Sequence, residues 1–206
     1  VHRSEGDRAV SVSMLPSFAA RWLMPRLGRF MERHPAIAVN IHTSITLVDF
    51  RRDDVDLAIR FGSGHWPELE THKFMDEEFF PVASPRFNRG RLPKHPSELG
   101  KFQLLRSSDE PWAPWFRAAG VRLKEPHSLA FTDSNLLLQA AADGRGIALA
   151  RSGIAAADLR AGKLVRLFDV AVPANGASYL VWPKGKLSPN AIVFRDWLLE
   201  ERRRES

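Results

Sequence analysis

Histidines, carboxylates and hydroxyls are where this sequence could do chemistry, and their spacing disposes of most of the possibilities. The seven histidines stand at 2, 34, 42, 65, 72, 95 and 127. No two are four residues apart, the spacing that puts two imidazoles on one helical face toward a metal. With no cysteine in the chain, thiolate metal sites, disulfides and cysteine nucleophiles are excluded together. No metal or other cofactor is therefore expected, and a reducing, cytoplasmic setting is the natural one. Asp53, Asp54 and Asp56 lead into an apolar run and read as a solvated turn rather than a catalytic carboxylate pair. Gly144-Arg145-Gly146 follows a helical pattern and precedes a strand, the reverse of a dinucleotide fingerprint, so helix capping explains it. The nucleophile elbow, the paired-histidine zinc helix and the phosphate loop are all missing. These residues point away from an enzyme.

Binding is better served. Ser13 and Ser17 flank the first strand-to-helix turn, Thr43 and Ser44 follow the second strand, and Arg60 and Phe61 end the third. In an open parallel sheet, ligands sit beyond the carboxyl ends of the strands. A helix starting near Ser17 offers unpaired N–H groups and a positive dipole end suited to an anion, although Ser17 would cap its helix with or without a ligand. Arg60 could clamp an anion with two parallel hydrogen bonds, or pair with a neighbouring acid. Further along, Arg106 ends a strand, and Asp133 and Ser134 lead into a helix. Trp112 and Trp115 offer an aromatic wall to a ligand, or else pack into the core.

The elements that must position these groups are legible from periodicity. Alternation predicts a strand over 9–14, a helix from Ser17 with Phe18, Trp22, Leu23, Leu27, Phe30 and Met31 on one face, and a second strand through Val39 and Ile41. Pro25 should kink or restart that helix. A short helix near Val48 to Arg52 leads into a strand over 55–61. Two short strands are expected between Thr71 and Ser84, with Pro81 marking an edge or crossing segment. The pattern then restarts: strands at 102–106, 129–131, 147–150 and 164–168, and helices at 112–119, 134–143 and 154–160. A strand over 178–182 and a helix opened by Ser188-Pro189 close the chain. This is the grammar of an α/β protein with two lobes, residues 1–82 with 178–206, and an inserted 83–177. A cleft between two such lobes is a usual place for a small ligand.

Composition sets the outer bounds. The chain has 206 residues, 44% of them hydrophobic and 26% charged, the profile of a globular protein with enough length for two small cores. No apolar run approaches the roughly 18 residues of a membrane span, so no membrane partner is expected. The net charge of +6 admits an anionic partner, but part of the excess is Arg202-Arg203-Arg204, placed to oppose the negative end of the last helix. The polar opening from Val1 to Arg8 predicts no signal peptide, and without an initiator Met the chain is expected to be a fragment of something longer.

The ordered blocks SVSMLPSFAARWLMPRLGRFMERHPAIAVNIHTS, LVDFRRDDVDLAIRFGSG, EEFFPVASP, AAADGRGIALAR and YLVWPKGKLSPNAIVFRDWLLEE resemble the effector-binding domain of LysR-type transcriptional regulators, in the branch of the glycine-cleavage activator. The resemblance runs from about Ala9 to Glu201. It implies a two-lobed, type 2 periplasmic-binding-protein-like fold, each lobe a mainly parallel sheet covered by helices. It also implies a small-molecule effector, anionic or amino-acid-like, held in the interlobe cleft near Ser13, Ser17, Thr43, Phe61, Arg106 and Asp133. Self-association into a dimer or tetramer is implied as well, with promoter DNA reached only through an N-terminal winged helix-turn-helix that is absent from this chain. The alternative is a periplasmic solute-binding protein of a transporter, which would share the fold.

Overall fold

The computed structural model describes residues 9–46, 48–124, 128–185 and 187–204. The chain divides into two compact units, residues 1–76 with 175–206 and residues 77–174.

The first unit is built on β1 (Val10–Met14). Its alternating residues Val10, Val12 and Met14 are wholly buried in an apolar cluster, which leaves Ser11 and Ser13 on the opposite face of the strand. β2 (Val39–Thr43) pairs with β1 in parallel, with Ser13 opposite His42. β3 (Leu57–Gly62) lies in parallel on the other side, with Ser13 opposite Ala58. β9 (Val172–Pro183) then runs antiparallel to β3, placing Tyr179 opposite Arg60.

Helices cover the apolar face. Pro16 opens α1 (Pro16–Phe18) with Leu15 as a cap that makes no side-chain bond. Ser17, expected to be the cap, is instead inside the helix and buried, because the fixed φ of proline suits the first helical position. A π-helical turn (Ala19–Leu23) follows, closed by the Met24 N–H on the Ala19 carbonyl, and runs into α2 (Met24–Arg33). The break expected at Pro25 therefore appears one turn early, where the wider ladder absorbs the donor that proline lacks. α6 (Pro189–Arg203) is capped by Ser188, whose hydroxyl accepts from the Ala191 N–H at 3.2 Å. Phe30 of α2 meets Phe194 of α6 edge-on at 4.9 Å, and Trp22 meets Phe74 edge-on at 5.0 Å.

Two expectations give way here. Residues 48–52 form turns rather than a helix. The Asp49 carboxylate accepts from the Arg51 N–H and the Asp53 carboxylate accepts from the Asp49 N–H, each at 3.0 Å, so side chains capture the donors a helix would use. In place of two short strands after Thr71 there is one long strand, β4 (Leu69–Ala83). Pro81 sits inside it opposite Leu149. Its carbonyl still accepts from Leu167 at 3.0 Å, so only the donor side of the ladder is lost.

In the second unit the later half of β4 pairs antiparallel with β7 (Ala148–Arg151) and β8 (Val165–Arg166). The expected strands at 102–106 and 129–131 shrink to a two-residue parallel pair, β5 (Arg106–Ser107) and β6 (Ala130–Phe131), with a further parallel bridge from Leu104 to Ile147. Three helices pack on them: α3 (Trp112–Ala118), α4 (Ser134–Ala142) and α5 (Ser152–Arg160). Gly144 takes φ +72 just past α4, the left-handed cap that ends a helix cheaply only with glycine. Gly146 is needed for space: a Cβ there would stand 2.7 Å from the Gln103 carbonyl oxygen.

Candidate functional site

The face of β1 and β2 opposite the apolar cluster is polar. Ser11 and Ser13 of β1 and Asn40 and His42 of β2 floor a cavity of about 510 Å³, walled by Ser44 and by residues 52–55. The alternation that sends Val10, Val12 and Met14 into the core makes this floor, since each serine sits between buried apolar residues and Asn40 between the half-buried Val39 and Ile41.

Arg60 does not itself line this cavity but bonds to two residues that do, Ser13 and Ser44. Ile59 before it is in the core, so Arg60 turns to the Ser13 side of the sheet. There one terminal nitrogen donates to Ser13 Oγ at 2.8 Å and the other to the Ser44 carbonyl at 3.2 Å. The Ser44 backbone is itself fixed, its N–H donating to the Met14 carbonyl and its Oγ accepting from the Thr46 N–H, both at 3.0 Å. Arg60 is only 5% exposed, and this burial pushes the guanidinium pKa down from its ordinary value by disfavouring the charged form. Among the described residues no carboxylate is found at ion-pair distance from Arg60, whose contacts are with Ser13 and Ser44.

Three of the predicted site residues, Ser13, Ser44 and Arg60, are thus brought into one hydrogen-bonded group. Thr43 is exposed at the end of β2 and Ser17 is buried in α1; neither lines the cavity. Phe61 is half-buried on β3 opposite Ser178.

In the second unit, Trp112 is no wall for a ligand. It is 0% exposed, its indole N–H donates to the Leu105 carbonyl at 2.8 Å, and its ring stacks on Phe116 at 5.3 Å. Apolar area and a satisfied N–H both favour the core for it. Asp133 caps α4, accepting from the Leu136 N–H at 3.0 Å. Ser134 is buried and donates to Glu110 Oε1 at 2.6 Å, so its hydroxyl hydrogen is already committed. Arg106 is half-buried on β5, and its Nε has no hydrogen-bond partner among the described residues.

Sequence reasoning missed Glu110 and Arg151. Glu110, 1% exposed, accepts from Arg151 at 3.0 Å as well as from Ser134, which ties α4 and β7 to the turn before α3. Glu77 does similar work at the start of α5, accepting from the Gly153 N–H at 2.9 Å and the Ser152 hydroxyl at 3.2 Å, a carboxylate at the positive end of a helix. These partners lie far apart in the chain, and no local spacing could have signalled them. Among the described residues there is no group of three or more His, Asp or Glu placed to hold a metal. No helix among them is long and apolar enough to cross a membrane.

Comparison with known proteins gives this geometry its context. Residues 3–203 match the family model described as the LysR substrate binding domain. The chain belongs to this LysR family. It is 38% identical over 195 residues to the glycine cleavage system transcriptional activator of Escherichia coli strain K12, covering 93% of this chain and 64% of that protein. It is 35% identical over 191 residues to the transcriptional activator AmpR of Rhodobacter capsulatus, covering 92% and 65%. The chain thus spans a little under two thirds of the length of these relatives. Among solved structures, the effector domain of AmpR from Pseudomonas aeruginosa matches with a TM-score of 0.79 and 32% identity, over 96% of this chain and 97% of that one. The AmpR effector binding domain from Citrobacter freundii matches with a TM-score of 0.79 and 25% identity, over 96% and 99%. The fold class is therefore the two-lobed, periplasmic-binding-protein-like α/β fold of LysR effector-binding domains. Because the LysR relatives are transcriptional activators, a transporter's solute-binding protein is not favoured.

Proposed function

We propose that this chain is the sensing portion of a LysR-type transcriptional regulator. It recognises a small metabolite without making or breaking bonds, and it passes the bound state to DNA through self-association of the longer protein inside the cell. The observation that carries this reading is the polar cavity on the first unit's sheet, in a chain whose family membership is that of LysR substrate-binding domains. Serine hydroxyls, an amide and an imidazole, with a buried guanidinium bonded to two of the lining residues, suit recognition by hydrogen bonding. A ligand regulates only if it prefers one of two states, and a coupling of about 1–3 kcal/mol, roughly 5- to 150-fold in affinity, is the usual size.

Thermal-shift screening of the chain against amino acids, aromatic acids and cell-wall fragments should find a stabilising ligand, because binding to the native state alone raises the melting point. The regulator that contains this chain should then change its promoter affinity by about 5-fold or more when that ligand is added. A stabilising ligand that leaves promoter affinity and subunit assembly unchanged would overturn the reading.

A further inference from the structure

Charged side chains are seldom buried unless a counter-charge or metal accompanies them. Arg60 is an exception. It is 5% exposed, its terminal nitrogens contact only a hydroxyl and a carbonyl, and the described residues supply no carboxylate partner. Those two acceptors belong to Ser13 and Ser44, which both line the 510 Å³ cavity. A full positive charge is thus held in place beside a polar cavity, with neutral groups fixing its plane and no protein anion satisfying it.

We propose that the missing counter-charge is supplied by the ligand: Arg60 is the anchor for a carboxylate on the sensed metabolite. This rests on the sensing role above and names the chemical class of what is sensed. A guanidinium presents parallel N–H groups that match a carboxylate in geometry as well as charge. A single negative charge fits better than a phosphate dianion. The cavity wall carries two carboxylates, Asp53 and Asp54, beside Arg52, and Arg52 is itself 3.6 Å from Asp49. A second negative charge would meet repulsion from that wall. The asparagine, the serines and His42 on the floor then read the remainder of the molecule through hydrogen bonds.

The test is a matched panel of monocarboxylic and α-amino acids, their primary amides and inorganic phosphate, titrated by calorimetry and thermal shift. Wild type and the variants Arg60→Lys and Arg60→Met are compared. At least one carboxylate should bind wild type, with its amide weaker by about tenfold or more, as expected for loss of a charge-assisted bond. Arg60→Met should lose that carboxylate by a similar factor, and Arg60→Lys should fall between, keeping the charge without the fork. Should Arg60→Met fail to fold, the acid-against-amide comparison on wild type carries the test alone. The proposal is overturned if no carboxylate binds, if amides or phosphate bind as well as acids, or if Arg60→Met keeps full affinity. A metabolite that binds equally as its amide, yet still shifts promoter affinity, would sink the carboxylate anchor and leave sensing intact. A carboxylate bound through Arg60 without effect on the promoter would do the reverse.

Discussion

Replacing Arg151 by Met should expose how much the second unit depends on one buried pair. Glu110 receives both of its hydrogen bonds on the same oxygen, from Arg151 at 3.0 Å and Ser134 at 2.6 Å, and Oε2 has no partner among the described residues. The side chains of Arg151 and Glu110 are only 8% and 1% exposed, so solvent screens the pair little. Arg151→Met keeps most of the side-chain volume but leaves a buried carboxylate with a single hydroxyl. Breaking a buried pair from one side costs about 3–5 kcal/mol, against a typical net stability of about 5–15 kcal/mol. At about 2–4 °C per kcal/mol for a chain of this size, the melting point should fall by roughly 6–20 °C. Removing both charges is expected to be far milder. In Arg151→Met with Glu110→Gln, the amide oxygen still accepts from Ser134, and at least half of the lost stability should return. Thermal unfolding followed by circular dichroism on wild type, both single variants and the double variant gives the coupling directly. The reasoning fails if Arg151→Met unfolds within about 1 kcal/mol of wild type, or if the two substitutions simply add.

Two smaller predictions concern local structure. Ser188→Ala removes the cap of α6 and should cost about 1 kcal/mol in urea denaturation, while Ser188→Asp restores most of it. Hydrogen bonds from the Lys94 and His95 N–H groups, the former at 2.7 Å, hold the Glu98 carboxyl below its ordinary pKa. A lowered native pKa means this turn is supported above the unfolded value of about 4.3 and released as pH falls through the native one. The amide shifts of Lys94 and His95 should therefore titrate together with a midpoint under about 4.3; a midpoint at or above that value contradicts the assignment.

Local pattern was enough for β1, α4 and α6. In each, periodic apolar residues, a capping side chain or a terminal glycine states the element within one stretch of chain. Where the pattern failed, a particular competing interaction won. At 48–52 the aspartates that looked like helix surface bonded to backbone instead. At Ser17, the proline before it claimed the helix start. Between Thr71 and Ser84 the two short strands expected are one, and Pro81 is accommodated inside it because its carbonyl side still pairs. The site was legible only as a set of candidates. Ser13, Ser44 and Arg60 could be named from strand ends, but they are separated by up to 47 residues, and which of them meet is decided by the parallel pairing of β1 with β3. For Arg60, a clamp on an anion and a bond to a protein acid look identical in sequence. Trp112 was ambiguous in the same way until its N–H found the Leu105 carbonyl.

The π-helical turn at Ala19–Leu23 holds one residue more than an ordinary helix would need over the same rise. The surplus sits where Ala20 points outward, while Phe18 and Trp22 on either side keep their places in the apolar cluster. Shortening the chain by that alanine would let the ladder revert to its common spacing without rotating α2 off the sheet. Deleting Ala20 should therefore leave the packing of Phe18 and Trp22 intact, the exposed surplus residue acting as slack in the chain rather than as part of its architecture.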